Sequence, residues 1–196
     1  VLLLLLLFFL EWAWDATLDL IMQGVFQLSG SENSIAIKID KDEDINNCMM
    51  TGPVMEGTGK HTISMKLEEG GAPLHMFCGV VRDGVACDKP YHKKESTEAW
   101  YMFSSGGGLY GNGKQNDDRA GKINDGQVLT MQVDLDAGTL KFWLDGKPHG
   151  PGWTSGVTGR LRWATSVAYK GNSVQIVPTP LELQRSVSER SGQRGK

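Results

Sequence analysis

Cysteine is scarce in this chain. There are three in 196 residues, Cys48, Cys78 and Cys87, without regular spacing. An odd, sparse set excludes a disulfide-stapled scaffold and, with no Asn-x-Ser/Thr sequon present, favours a reduced intracellular, cytoplasmic setting. Charge of one sign is also lacking. The formal net charge is −3, so there is no basic excess of the kind nucleic-acid binding draws on. Long hydrophobic runs are missing too. The run of residues 1–10 is unbroken and apolar, but a bilayer crossing takes about 20 such residues. It also has neither the basic flank nor the small-residue cleavage site of a signal peptide. It is expected to be a packing piece at a domain boundary, and no membrane association is expected. Strand–helix–strand alternation is not visible either, which removes the doubly wound nucleotide-binding architectures.

What the chain has is glycine, 25 residues of it, mostly between short apolar runs. The clearest stretch runs from Gly126 to Gly146. Leu129, Met131, Val133 and Leu135 alternate with Thr130, Gln132 and Asp134. Beyond Asp136-Ala137-Gly138, Leu140, Phe142 and Leu144 alternate with Thr139, Lys141 and Asp145, with Trp143 on the second face. A period of two marks strands, because successive side chains leave opposite faces, and the glycine-ended loop predicts a hairpin with one dry and one wet face. Ile35, Ile37 and Ile39 predict a strand with an isoleucine face, and Ile63, Met65 and Leu67 another. Residues 74–81 are almost continuously apolar, as in a strand buried on both sides. Val85-Ala86-Cys87 could return from it, and Thr51-Gly52-Pro53 breaks the chain. Trp100 to Phe103, Leu109-Tyr110, residues 161–169 and residues 173–177 complete the set. Short strands separated by turn residues predict an all-β, antiparallel β-sandwich. The domain is expected to span residues 24–180, after an N-terminal extension of residues 1–23 and before a polar, flexible tail of residues 181–196.

Five stretches then fall in the order of a known family. They are Gly79-Val80-Val81, Ala99-Trp100-Tyr101-Met102, and residues 107–113 (Gly-Gly-Leu-Tyr-Gly-Asn-Gly). Residues 124–146 follow, with Gly138-Thr139-Leu140-Lys141-Phe142-Trp143-Leu144-Asp145-Gly146 inside them, and the strand pair of residues 168–177 comes last. Together they resemble the SPRY domain, and residues 107–115 are similar in flavour to SPRY domains inside giant HECT-type ubiquitin ligases. Asp125-Gly126 stands where the family favours the reverse order, and Leu161-Arg162-Trp163 where Leu-Tyr-Pro is usual. The resemblance implies a bent sandwich with concanavalin-like jelly-roll architecture. It also implies a non-catalytic module, monomeric within a larger chain, whose end loops hold another protein or a peptide. Recruitment of a ubiquitylation substrate is one such role.

The chemical motifs are weak beside that. Residues 106–111 spell G-x-G-x-x-G, and residues 108–115 come within one position of a P-loop, but no helix follows either. Cys87 and His92 are near in sequence without a third group to orient them. His61, His75 and His149 are scattered, so no metal site and no cofactor are expected. The candidate partner-binding face combines two loops, residues 83–98 and 147–155. Its residues are Asp83, Tyr91, His92, Lys93, Trp153 and Thr154, with Trp153 either an exposed anchor or a residue folded onto the sandwich. The rival is a carbohydrate-binding or glycoside-cleaving sandwich using Asp134 and Asp136. A third reading is a purely structural domain packed within a giant chain.

Overall fold

The computed structural model describes residues 24–31, 34–40, 48–86, 89, 91–115 and 120–183. The strands in it are β1 (Phe26–Ser29), β2 (Ile35–Lys38), β3 (Met49–Met55), β4 (Lys60–Glu68), β5 (Met76–Arg82), β6 (Ala99–Phe103) and β7 (Leu109–Gly111). They continue with β8 (Lys114–Gln115), β9 (Val128–Asp134), β10 (Thr139–Leu144), β11 (Lys147–Pro148), β12 (Leu161–Val167) and β13 (Ser173–Val177). They form a seven-stranded sheet in the order β1-β2-β13-β4-β9-β10-β11 and a six-stranded sheet in the order β3-β12-β5-β6-β7-β8. The protein is an all-β antiparallel sandwich. Of the polar tail, residues 181–183 form a turn of helix; residues 1–23 and the rest of the tail lie outside the described residues.

The 126–146 stretch forms the hairpin its alternation predicts. Asp134 pairs with Thr139 across a loop of residues 135–138, and the Asp134 carboxylate accepts the Ala137 N–H at 3.0 Å. Asp145 (φ 49°) and Gly146 (φ 78°) then turn the chain into β11. Two successive positive φ values make the primed two-residue turn whose twist matches that of the strands. Leu129, Met131, Val133, Leu140 and Phe142 face inward with Ile63, Met65 and Leu67 of β4. Opposite them lie Met76, Cys78, Val80, Trp100, Met102, Trp163 and Val167 of the six-stranded sheet. The Thr165 hydroxyl reaches the Met65 sulfur at 3.5 Å, spanning the two sheets.

Four local expectations are corrected. The second face of β9 is not wet: Thr130 and Gln132 are buried, because β9 lies between β4 and β10. Their polar atoms pair across strands, Thr130 with Ser64 at 2.7 Å and Gln132 with Thr62 at 3.1 Å. On β2 the buried positions are Ala36 and Lys38, and Ile39 is exposed. Register decides this: Ala36 sits opposite Val174, whose other neighbour is Leu67 on the core face. The cost of burying Lys38 is offset by Asp40 at 2.6 Å and the Phe26 ring at 5.5 Å. Gly52-Pro53 does not end a strand. β3 runs through it at the sheet edge, where proline's missing N–H is tolerated, and the pairing shifts register there against β12. Val85 and Ala86 form no returning strand, and Cys87 lies outside the described residues.

Candidate functional site

The two loops singled out by sequence meet through a third element. The turn between β7 and β8 is Asn112-Gly113, at φ 39° and 83°, another primed turn. On one side the Asn112 N–H donates to Ser96 O at 2.6 Å and the Gly113 N–H to Lys94 O at 2.9 Å. On the other, the Lys114 ammonium lies 5.0 Å from the Trp153 ring centre. The turn is a post on which the 91–98 loop and the 150–156 loop both lean.

The six predicted residues do not share one role. Lys93 and Thr154 are exposed. Asp83 is half-buried and pairs with Arg160 at 3.2 Å, which also reaches Glu56 at 3.2 Å. Tyr91 and Trp153 are buried, 8% and 3% exposed, so neither offers its ring to a partner. The reason at Trp153 is backbone: it exchanges both hydrogen bonds with Leu140, at 2.9 and 2.8 Å, and its indole N–H points to Tyr101 O at 3.4 Å. Gly152 permits this approach, since a Cβ there would meet Leu140 O at 2.4 Å. Trp153 therefore closes the sandwich edge between β10 and β6 and supports its loop from beneath.

His92 leads to a feature that sequence reasoning missed. Its ring stacks on Phe77, with centroids 4.6 Å apart and 19° between planes. Phe77 pairs with Phe103 across β5 and β6 and stacks on it at 4.7 Å. Tyr110 meets both edge-on, at 5.2 and 5.7 Å. His75 adds contacts to Phe103 at 4.6 Å and Tyr169 at 5.6 Å. These rings occupy the outer face of the six-stranded sheet, the side away from the core. His75, Phe103, Tyr110 and Tyr169 are half-buried there, beside the 91–98 loop. Edge-to-face packing holds such a cluster rigid while leaving ring surface for an incoming apolar group. One signal was available: with Trp100 inward, period two sends Tyr101 and Phe103 outward.

His92 adds no charge to the cluster at neutral pH. The His92 pKa falls to about 4, chiefly through burial, then through the nearby Lys93 and His75. Its Nδ1 has no hydrogen-bond partner among the described residues. Elsewhere, burial lifts the Cys78 thiol to about 12, which leaves it inert. Asp134 and Asp136 are occupied at the far sheet: Asp134 faces Lys60 at 3.8 Å, and Asp136 accepts the Gly59 N–H at 3.1 Å. The G-x-G-x-x-G residues form the β6–β7 connection and β7. Among the described residues, no cluster of three His, Cys, Asp or Glu side chains could hold a metal, and no helix is long and apolar enough to cross a membrane.

No protein-family model matches the chain, and no curated protein does. Solved structures do. The SPRY domain of human HERC1 superposes with a TM-score of 0.63 at 17% identity, covering 79% of this chain and 92% of that one. The TRIM65 PSpry domain gives 0.65 at 11% identity, covering 86% and 93%. A human SPRY domain gives 0.56 at 14% identity, covering 78% and 94%. The chain has the fold of these SPRY domains.

Proposed function

We propose that this chain is a non-catalytic module that binds another protein. Its binding face is the aromatic outer surface of the six-stranded sheet, with the 91–98 and 150–156 loops as its rim. The carrying observation is the half-buried cluster of His75, Phe103, Tyr110 and Tyr169 beside the 91–98 loop, which is anchored on one rigid turn. Large rigid rings at the centre of a polar rim are where interface energy concentrates. Lys93 and Thr154 belong to the rim, Asp83 fixes its far corner through Arg160, and Tyr91 and Trp153 shape it from below. The SPRY fold supports the reading, since resemblance to that family implies protein recognition. The resemblance to domains of giant HECT-type ligases supports a place in a larger intracellular chain that presents a partner for ubiquitylation.

The test is quantitative affinity purification with wild type, a Phe103→Ala/Tyr110→Ala variant, and Lys141→Ala on the opposite sheet. Proteins captured by wild type and Lys141→Ala are expected to be lost from the double variant, with its unfolding transition still cooperative. Full retention by the double variant overturns this face.

A further inference from the structure

We propose that Asn112-Gly113 is a site of covalent modification, where the Asn112 side chain loses ammonia to the Gly113 nitrogen and the 91–98 loop is the gate. Its chemistry is independent of what the neighbouring face binds. An asparagine before a glycine closes a ring most readily, because no side chain shields the attacking nitrogen. Of the chain's asparagines, only Asn112 precedes a glycine. Gly113 is exposed and a Cβ there would meet open space, so base and water reach its nitrogen once it is released. The Asn112 carboxamide leans towards Gly156, where an added Cβ would lie 3.7 Å from Nδ2, and the bare glycine leaves it room to rotate.

Comparable positions are held in place. Asn172 is buried, its Oδ1 accepting the Gly70 N–H at 2.8 Å and its Nδ2 donating to Pro73 O at 3.0 Å. Asn124 precedes Asp125, not a glycine. The Asp-Gly pairs can close the same ring by loss of water, but each carboxylate is engaged. Asp83 pairs with Arg160 at 3.2 Å, Asp125 accepts the Glu69 N–H at 2.8 Å, and Asp145 accepts the Val128 N–H at 3.0 Å.

The step needs no reagent besides water. The Gly113 nitrogen gives its proton to hydroxide and attacks Asn112 Cγ. The N–Cγ bond forms, the Cγ–Nδ2 bond breaks, and the amide leaves as ammonia after taking a proton from water. Water then opens the cyclic imide. Cleavage of the new N–Cγ bond gives aspartate on the original backbone. Cleavage of the nitrogen's bond to the Asn112 main-chain carbonyl gives isoaspartate, with an extra carbon in the chain.

The folded turn restrains this reaction. The Gly113 N–H donates to Lys94 O at 2.9 Å, and the Asn112 N–H to Ser96 O at 2.6 Å. While the first bond is made, the nitrogen keeps its proton. Both residues are also fixed at positive φ, 39° and 83°. Reaction therefore waits for the 91–98 loop to lift, a local opening far short of unfolding. An isoaspartate cannot rebuild the two-residue primed turn, since the added carbon changes the spacing of its amides. The loop then loses both anchors.

The test is timed incubation of the full chain at neutral and mildly alkaline pH, native and in urea, with peptide mapping by mass spectrometry. Asn112 is expected to convert ahead of Asn124 and Asn172, and faster at the higher pH. Two lost hydrogen bonds should make conversion about tenfold or more faster in urea than in the native chain. The isoaspartate form, separated by ion exchange, is expected to show faster hydrogen exchange across residues 91–98, whereas Asn112→Asp keeps the wild-type pattern. Conversion at Asn112 no faster than at Asn124 overturns the site. Equal rates in native and unfolded chains overturn the gate. Isoaspartate with unaltered exchange overturns the consequence for the loop, and the same quickening in Asn112→Asp assigns it to charge and overturns the backbone account.

Discussion

A tryptophan on a glycine-proline loop carries about 200 Å² of rigid surface that can face either way. At Trp153 the paired hydrogen bonds to Leu140 turn it inward. Trp153→Ala should therefore lower stability by about 3–5 kcal/mol through the cavity it leaves. Chemical denaturation measures this; an unchanged midpoint with lost partner binding would show that the ring acts at the surface instead. His92 makes the opposite case, a polar residue held over an apolar ring. Its folded pKa of about 4 lies below the ordinary imidazole value of 6.5, so the unfolded chain binds more protons between those values. Stability is then full above about pH 6.5 and falls as the pH drops towards about 4. The ring is part-exposed, so solvent screening limits the loss to about 1–2 kcal/mol. His61 and His149 are also lowered by burial and act in the same direction. Comparison with His92→Gln isolates the effect: the variant should lose less stability than wild type between about pH 7.5 and about pH 4.5. Equal losses in the two proteins would remove His92 as their source.

Among the elements, the β7–β8 turn has the widest reach for its size. A Cβ on Gly113 would meet open space, so Gly113→Ala tests conformation alone, at φ 83°. The expected cost is about 1–2 kcal/mol. Hydrogen exchange should quicken at the Asn112 and Gly113 amides, which hold the 91–98 loop. Unaltered exchange there would mean the loop is fixed by other contacts. The turn was readable beforehand because Asn-Gly is the commonest chemistry for two positive φ values. Strands β5, β6, β9 and β10 were readable for a similar reason: runs of apolar or alternating residues admit few other conformations. β3 was not, since Gly52-Pro53 signals a break unless the strand is known to lie at an edge, and edges are fixed by the whole sheet. The face of β2 was misread on the same ground. Hydropathy favours isoleucine inside, but pairing with β13 puts Lys38 there.

At the scale of the molecule, periodicity says that strands exist and leaves their partners open, because every strand shares the same period. The sandwich was legible from turn spacing, and the resemblance to SPRY domains rested on motifs in their order. The aromatic face was not legible from β5, which is apolar on both sides, and the one hint lay in β6, where an inward Trp100 turns Phe103 outward. Nor was the placing of the last two strands. β12 inserts between β3 and β5, and β13 between β2 and β4, so each sheet is joined across its middle by the end of the chain. Neither sheet can be completed by its earlier strands, and folding must wait for contacts of long sequence separation, which places it in the slow, millisecond-to-second range. A chain ending at residue 160 loses a central strand from both sheets and the core side chains Trp163, Val167 and Val174. It should show no cooperative thermal transition, where the full chain shows one. A sharp transition in the truncated chain would mean that β3 and β5, or β2 and β4, can pair directly, and that the sandwich does not depend on its final strands for closure.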